Sequence, residues 1–156
     1  MNSLHAKAAL HFQRGVGLVE VMVAVLVLSI GLLGLAGLQV RTLRNSQSAL
    51  ERGVAVIETH AIVDAMRADR VKAMSDDFDI ALGAPAPTAG TSFADVVLTG
   101  WRANLIASLG EGATGSVACN AADCMIVIQW NDSRGTQTAD TAAGSETQTL
   151  STQVQL

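Results

Sequence analysis

The sequence predicts an α+β fold, in which a long N-terminal helix, membrane-spanning in its first half, packs on a small antiparallel sheet. Three observations predict it. Residues 16–38 form an apolar run of 23 residues, of which 17 are Ala, Val, Ile, Leu or Met, and Glu20 is its one charged residue. A helical spacing of apolar residues continues without proline to about residue 74. Strand-like alternation follows near the C-terminus.

The apolar run is long enough to cross a membrane. As a helix it measures about 35 Å, and the hydrocarbon core of a bilayer is about 30 Å thick. The 15 residues before it contain Lys7 and Arg14 and no acidic residue. A secretory signal would have a shorter apolar stretch before a small-residue cleavage site, a role that residues 34–36 would fill poorly. Such a signal and a plain uncleaved anchor are the two alternatives to a specialised membrane helix.

Glu20 favours the specialised helix. A carboxylate at the middle of a bilayer costs about 2.5–3.5 kcal/mol, so such residues usually have a partner and a role. Glu20 lies near one end of the run, which reduces this cost. A residue at the membrane interface is the simpler interpretation of the same position.

Residues 13–21, with the sequence QRGVGLVEV, resemble the processing site of type IV prepilins. In that family a basic leader ends in Gly, a prepilin peptidase cuts after it, the new N-terminus is methylated, and Glu is the fifth mature residue. The resemblance implies cleavage between Gly15 and Val16, and N-methylation of Val16. It also implies that Glu20 registers each subunit by meeting the terminal amine of a neighbour.

Within this family the chain is similar to the minor pilins of the PilV type. Residues 15–39 carry the stronger likeness. A block with Trp101, Leu105 and Leu109, followed by cysteines and a stretch ending at Trp130, carries a looser one. The resemblance implies other minor pilins and the major pilin as partners through the N-terminal helix. It also implies an inner-membrane protein with a periplasmic C-terminal domain, which later joins a pilus.

The function implied is priming of pilus assembly and participation in the tip complex, in support of twitching motility and surface attachment. A minor pseudopilin of a type II secretion system is the nearest alternative, because it would share every N-terminal feature. A periplasmic binding module on a permanent anchor is an alternative of a different class. For that class, replacing Glu20 would leave function unchanged.

The remaining sequence predicts a small head after the helix. The expected organisation is a leader at 1–15, a membrane and assembly helix at 16–38, its amphipathic continuation at 39–75, and an α+β head at 76–156. Ser92 and Asp95 predict the start of a short helix that Gly110 ends. Strands are expected at 116–119, 124–130 and 147–156, with an exposed loop at 131–146.

Cys119 and Cys124 are the two cysteines of the chain, and their spacing suits a hairpin closed by a disulfide. A zinc site would need about four ligands, and the sequence places no others nearby. A disulfide in turn predicts an oxidising compartment.

Composition argues against several other functions. With a net charge of −4 and 3% aromatic residues, the chain lacks the basic face and stacking set of a nucleic-acid binder. Neither an enzyme nor a cofactor is expected, because beyond the leader His60 is the one histidine and no phosphate-binding Gly loop appears. We expect His60 on a helix surface. Asp76, Asp77 and Asp79 are expected in a solvated loop, with calcium a weak alternative.

Overall fold

The computed structural model describes residues 15, 17–88, 90, 92–133 and 147–156. The elements in chain order are the helices α1 (Leu18–Ala68), α2 (Arg70–Ala73) and α3 (Phe93–Leu109) and the strands β1 (Thr114–Asn120), β2 (Asp123–Trp130) and β3 (Gln148–Gln155). This content confirms the predicted α+β class. The predicted leader, Val16 and most of the predicted loop 131–146 lie outside the described residues.

Two compact units divide the chain between Gln39 and Val40. The first unit contains the apolar part of α1. An 18-residue window of this helix has a mean hydropathy of 2.6, and none of it is buried inside the chain. By length and composition, α1 is the one helix among the described residues that could cross a membrane.

In the second unit, α1 is amphipathic. Its buried residues recur mainly at intervals of three and four, which places them on one helix face; they are Ser48, Ala55, Thr59, Ile62, Val63 and Met66. The helix ends at Ala68 rather than near residue 75. Asp69 leaves the helical conformation, with φ −130° and ψ 64°, and its carboxylate accepts from the Lys72 backbone N–H at 3.4 Å. An aspartate that binds nearby backbone in this way favours a helix start over a helix interior.

Helix α3 has the ends that the sequence predicts. The Ser92 hydroxyl accepts from the Asp95 backbone N–H at 3.1 Å, which caps the first turn. Gly110 ends the helix with φ 98°, a conformation that glycine adopts without steric cost. The buried face includes Leu98, Trp101, Leu105 and Leu109, whereas Val97 is only partly buried at its edge.

The three strands form one antiparallel sheet in the order β1-β2-β3. Alternate β2 residues are buried, namely Cys124, Ile126, Ile128 and Trp130. In β3 half-buried and exposed residues alternate along the whole strand, as its sequence predicts. Beyond β1, Ile80 forms an isolated bridge with Val117.

One hydrophobic core joins these elements of the second unit. Its largest contributors lie on α1 (Ile62, Met66), before α3 (Phe78), on α3 (Leu98, Trp101, Leu105) and on β2 (Ile126, Ile128, Trp130). The Trp101 indole Nε1–H donates to the Glu58 carbonyl oxygen at 3.0 Å, so this residue connects α3 to α1. Near it, Gly115 on β1 leaves no room for a side chain.

Candidate functional site

The predicted processing and assembly residues lie at the start of α1. Gly15 is exposed and precedes the helix. The Gly17 carbonyl accepts from the backbone N–H groups of Glu20 and Val21, at 3.0 and 3.2 Å, and so begins the helical hydrogen bonding. Glu20 is therefore an exposed carboxylate in the first turn, where the helix dipole favours negative charge.

The apolar residues that follow Glu20 have no partner within the described chain. Leu18, Leu33 and Ile30 are 77%, 73% and 64% exposed. The hydroxyl of Ser29, a polar residue of this stretch, donates to the Val25 carbonyl at 2.7 Å within the helix. The side chains thus present a continuous apolar surface that suits lipid or other helices.

Three glycines interrupt this surface at intervals of three residues. A methyl group built at Gly31, Gly34 or Gly37 would meet no atom within 4 Å. Packing inside this chain therefore does not explain them. Small residues on membrane helices let a second backbone approach closely, which fits a surface made for helix–helix contact.

The predicted disulfide is present in the head. Cys119 and Cys124 lie directly opposite each other on β1 and β2, with a Cα–Cα distance of 4.1 Å and a disulfide bond between them. It closes the β1–β2 turn, in which Ala121 has φ 56°. The Cys124 side chain is fully buried, so the bond also joins the turn to the core.

Removal of this disulfide is expected to lower the free energy of unfolding by about 2 kcal/mol, because the short loop gains limited freedom when opened. The test is the unfolding midpoint of full-length Cys119→Ala/Cys124→Ala in detergent, followed by tryptophan fluorescence. Reduced wild-type protein is the matched control, since reduction opens the loop without removing side-chain volume. An unchanged midpoint after reduction would contradict the prediction.

The acidic residues after α2 have structural partners. The Lys72 ammonium lies 2.9 Å from the Asp77 carboxylate. The Asp79 carboxylate accepts from the Cys119 backbone N–H at 2.9 Å. Burial raises the pKa of Asp79, with a smaller contribution from Asp76, and the Cys119 hydrogen bond opposes this rise. The described residues include no group of three or more His, Cys, Asp or Glu side chains placed to hold a metal ion.

Sequence reasoning missed a buried arginine. Arg102 on α3 is 7% exposed. Its guanidinium donates to the Thr114 hydroxyl and to the carbonyl oxygens of Ala81 and Ala84, the last two at 3.0 and 2.9 Å. Burial lowers the pKa of Arg102. It therefore holds the loop before α3 against the head, and no local pattern distinguishes it from a surface arginine.

A second missed contact joins residues 84 positions apart. The Ser48 hydroxyl donates to the Asp132 carboxylate at 2.7 Å, and both side chains are buried. This hydrogen bond fixes the chain after β2 to α1. His60 is exposed on α1, as predicted, and lines a shallow groove beside β3.

Comparison with known proteins identifies the N-terminal site. Residues 10–36 match the family model described as the prokaryotic N-terminal methylation motif, and this match includes Gly15, Val16 and Glu20. No curated protein and no solved structure matches the chain. The motif, the exposed apolar helix and the small antiparallel sheet occur together in one chain. The chain therefore carries the prokaryotic N-terminal methylation motif and has the α+β layout of a type IV pilin-like protein.

Proposed function

We propose that this protein is a minor pilin of a type IV pilus, of the PilV type. Prepilin peptidase removes the leader after Gly15, and Val16 becomes the methylated N-terminus. The protein then waits in the inner membrane until its helix is transferred into a fibre. There it takes part in priming assembly and in the tip complex, which support twitching motility and surface attachment. The observation that carries this proposal is Glu20, fifth after Gly15, in an apolar helix that the described chain leaves uncovered.

Charge pairing explains why that position matters. Cleavage creates an α-amino group whose ordinary pKa is about 8, so it is a cation at neutral pH. A carboxylate in an apolar environment is costly unless a cation compensates it. The amine of one subunit and Glu20 of the next satisfy each other, and only in the correct axial register. The function is therefore assembly through helix contacts, with no chemical step.

The disulfide supports a periplasmic position for the head. Disulfides persist in oxidising compartments, of which the bacterial periplasm is one. Charge does not decide the orientation, because Lys7 and Arg14 precede the apolar run and Arg41 and Arg44 follow it. Loss of the leader, with its two basic residues, changes the formal charge from −4 to −6, which makes the exported chain acidic.

The N-terminal sequence and intact mass of the protein from native membranes and sheared fibres test this proposal. A chain that starts at Val16, with or without one methyl group, is the expected result. A chain that starts at Met1 or near Gly37 would overturn it in favour of a plain anchor or a secretory signal. Co-purification separates the remaining candidates, since fibre components indicate a pilin and secretion components a pseudopilin.

A further inference from the structure

Strand β3 forms one edge of the sheet. Its inner side pairs with β2 over the whole range from Gln148 to Gln155. No described strand pairs with its outer side. The position of each backbone group on this strand therefore decides what the edge can bind.

The hydrogen-bond pattern fixes which groups point outward. The Leu156 N–H donates to the Ala122 carbonyl at 2.9 Å, and these two residues are opposite in the register that continues Asp123↔Gln155. Hydrogen-bonded pairs alternate along an antiparallel ladder, so the even-numbered β3 residues bond to β2. The odd-numbered residues then direct their N–H and C=O groups outward; they are Thr149, Ser151, Gln153 and Gln155, and we call their outward groups the β3 edge.

The disulfide gives an independent check of this assignment. If the even-numbered β2 residues bond to β3, Cys124 cannot bond to β1, and Cys119↔Cys124 is a non-hydrogen-bonded pair. Such pairs have close Cα atoms, about 4.5 Å apart. The observed 4.1 Å agrees.

The opposite edge of the sheet is covered, in contrast to the β3 edge. Val117 on β1 exchanges two backbone hydrogen bonds with Ile80, at 2.9 and 3.0 Å. The Cys119 N–H is bound by the Asp79 carboxylate. Proteins protect exposed edges with charges, prolines or bulges, and β3 has neither a charged residue nor a proline.

We propose that the β3 edge is an interface at which two copies of this chain pair antiparallel to form one continuous sheet. One register uses all four outward residues, and its two-fold axis passes through Thr152. It sets Ser151 opposite Gln153, and Thr149 opposite Gln155, with about eight backbone hydrogen bonds between the copies. The inference does not depend on the proposed role in a pilus.

The side chains fit this register. On the half-buried face of β3, Leu150 lies opposite Val154 of the second copy, and Thr152 lies opposite Thr152. Apolar and Thr–Thr pairs of this kind stabilise antiparallel sheets. Leu150 and Val154 are only partly buried in the single chain, so pairing would cover them.

The surface beside the β3 edge also favours a second strand. A groove of about 240 Å³ lies between the head part of α1 and β3; its lining is Val56, Thr59, His60, Val63, Arg67, Thr152 and Val154. Arg67 is paired with Asp64 at 3.5 Å. Because β3 is uncharged, a second β3 enters beside this groove without opposing a charge on the first.

Cysteine crosslinking of the full-length chain in native membranes tests the interface. Thr152→Cys places two thiols at the symmetry axis in a non-hydrogen-bonded pair, the same kind of pair that holds the native disulfide. Gln148→Cys is the matched control on the same strand and face, because its two copies would be about 27 Å apart. We expect a disulfide-linked dimer with Thr152→Cys and at least ten-fold less with Gln148→Cys.

A backbone variant separates edge pairing from association through the membrane helix. Gln153→Pro removes an outward N–H and leaves the bonds to β2 intact, whereas Gln153→Thr keeps the N–H. In the Thr152→Cys background we expect the proline to reduce crosslinking at least ten-fold and the threonine to preserve it. Absence of the Thr152→Cys dimer, equal crosslinking of Gln148→Cys, crosslinking that survives the proline, or a predominant adduct with a different protein would each overturn the proposal. Should the proline variant fail to fold, the comparison of Thr152→Cys with Gln148→Cys decides.

Discussion

Replacing Glu20 with alanine is expected to reduce the amount of this protein in sheared fibres at least ten-fold, while its amount in the membrane is maintained. The variant leaves the N-terminal amine of the neighbouring subunit without a carboxylate in an apolar environment. Loss of one partner of a buried charge pair costs about 2–5 kcal/mol, and every 1.4 kcal/mol is about ten-fold in an equilibrium. The measurement is the ratio of fibre to membrane protein, together with pilus counts and twitching zones.

Ser29→Ala is the matched control for Glu20→Ala. Ser29 is also an exposed polar residue of the apolar stretch, but its hydroxyl is satisfied by Val25 in its own helix. We expect this variant to assemble normally. The mass of each variant must show the same cleavage after Gly15, so that an assembly defect is distinct from a processing defect. Normal fibre incorporation of Glu20→Ala would favour a binding module on a permanent anchor.

Replacing Trp101 with alanine is expected to lower the free energy of unfolding of the head by about 3–5 kcal/mol, the usual cost of removing a large buried aromatic side chain. Trp101 is 4% exposed and contacts three parts of the head. Its indole donates to Glu58 on α1, and its ring lies against Gly115 on β1. Fluorescence of the other tryptophan, the buried Trp130, reports unfolding of the full-length variant in detergent.

Gly115→Ala provides a matched test of the same contact. A methyl group there would lie 2.9 Å from Cζ2 of Trp101 and closer still to Cη2, so the ring must move. Overpacking of this kind costs about 1–3 kcal/mol. Combined with Trp101→Ala, which vacates the space, Gly115→Ala should cost much less than it does alone. Additive effects in the double variant would show that the two residues do not compete for this space.

The parts of this protein that sequence predicted well have local signals. The apolar run and the Gly15–Glu20 spacing lie within one short segment, and the family model matches that segment. Ser92 and Gly110 mark the ends of α3 because capping depends on residues within one turn. Cys119 and Cys124 are close enough along the chain for a hairpin to bring them together.

The parts that sequence did not predict depend on contacts between distant segments. Nothing near Arg102 or Ser48 indicates that loop carbonyls and Asp132, respectively, will satisfy their polar groups inside the head. The break at Asp69 is a local signal that the amphipathic pattern outweighed.

The sequence by itself determined the N-terminal motif, the element types and the disulfide, because each follows from residues that are neighbours along the chain. Only the tertiary structure decided which sheet edge is covered. Alternation in a strand states which side chains face the core, but it does not state the strand order. The bridge between Ile80 and Val117 closes the β1 side, and β3 is left with outward backbone groups that only a packed sheet could reveal.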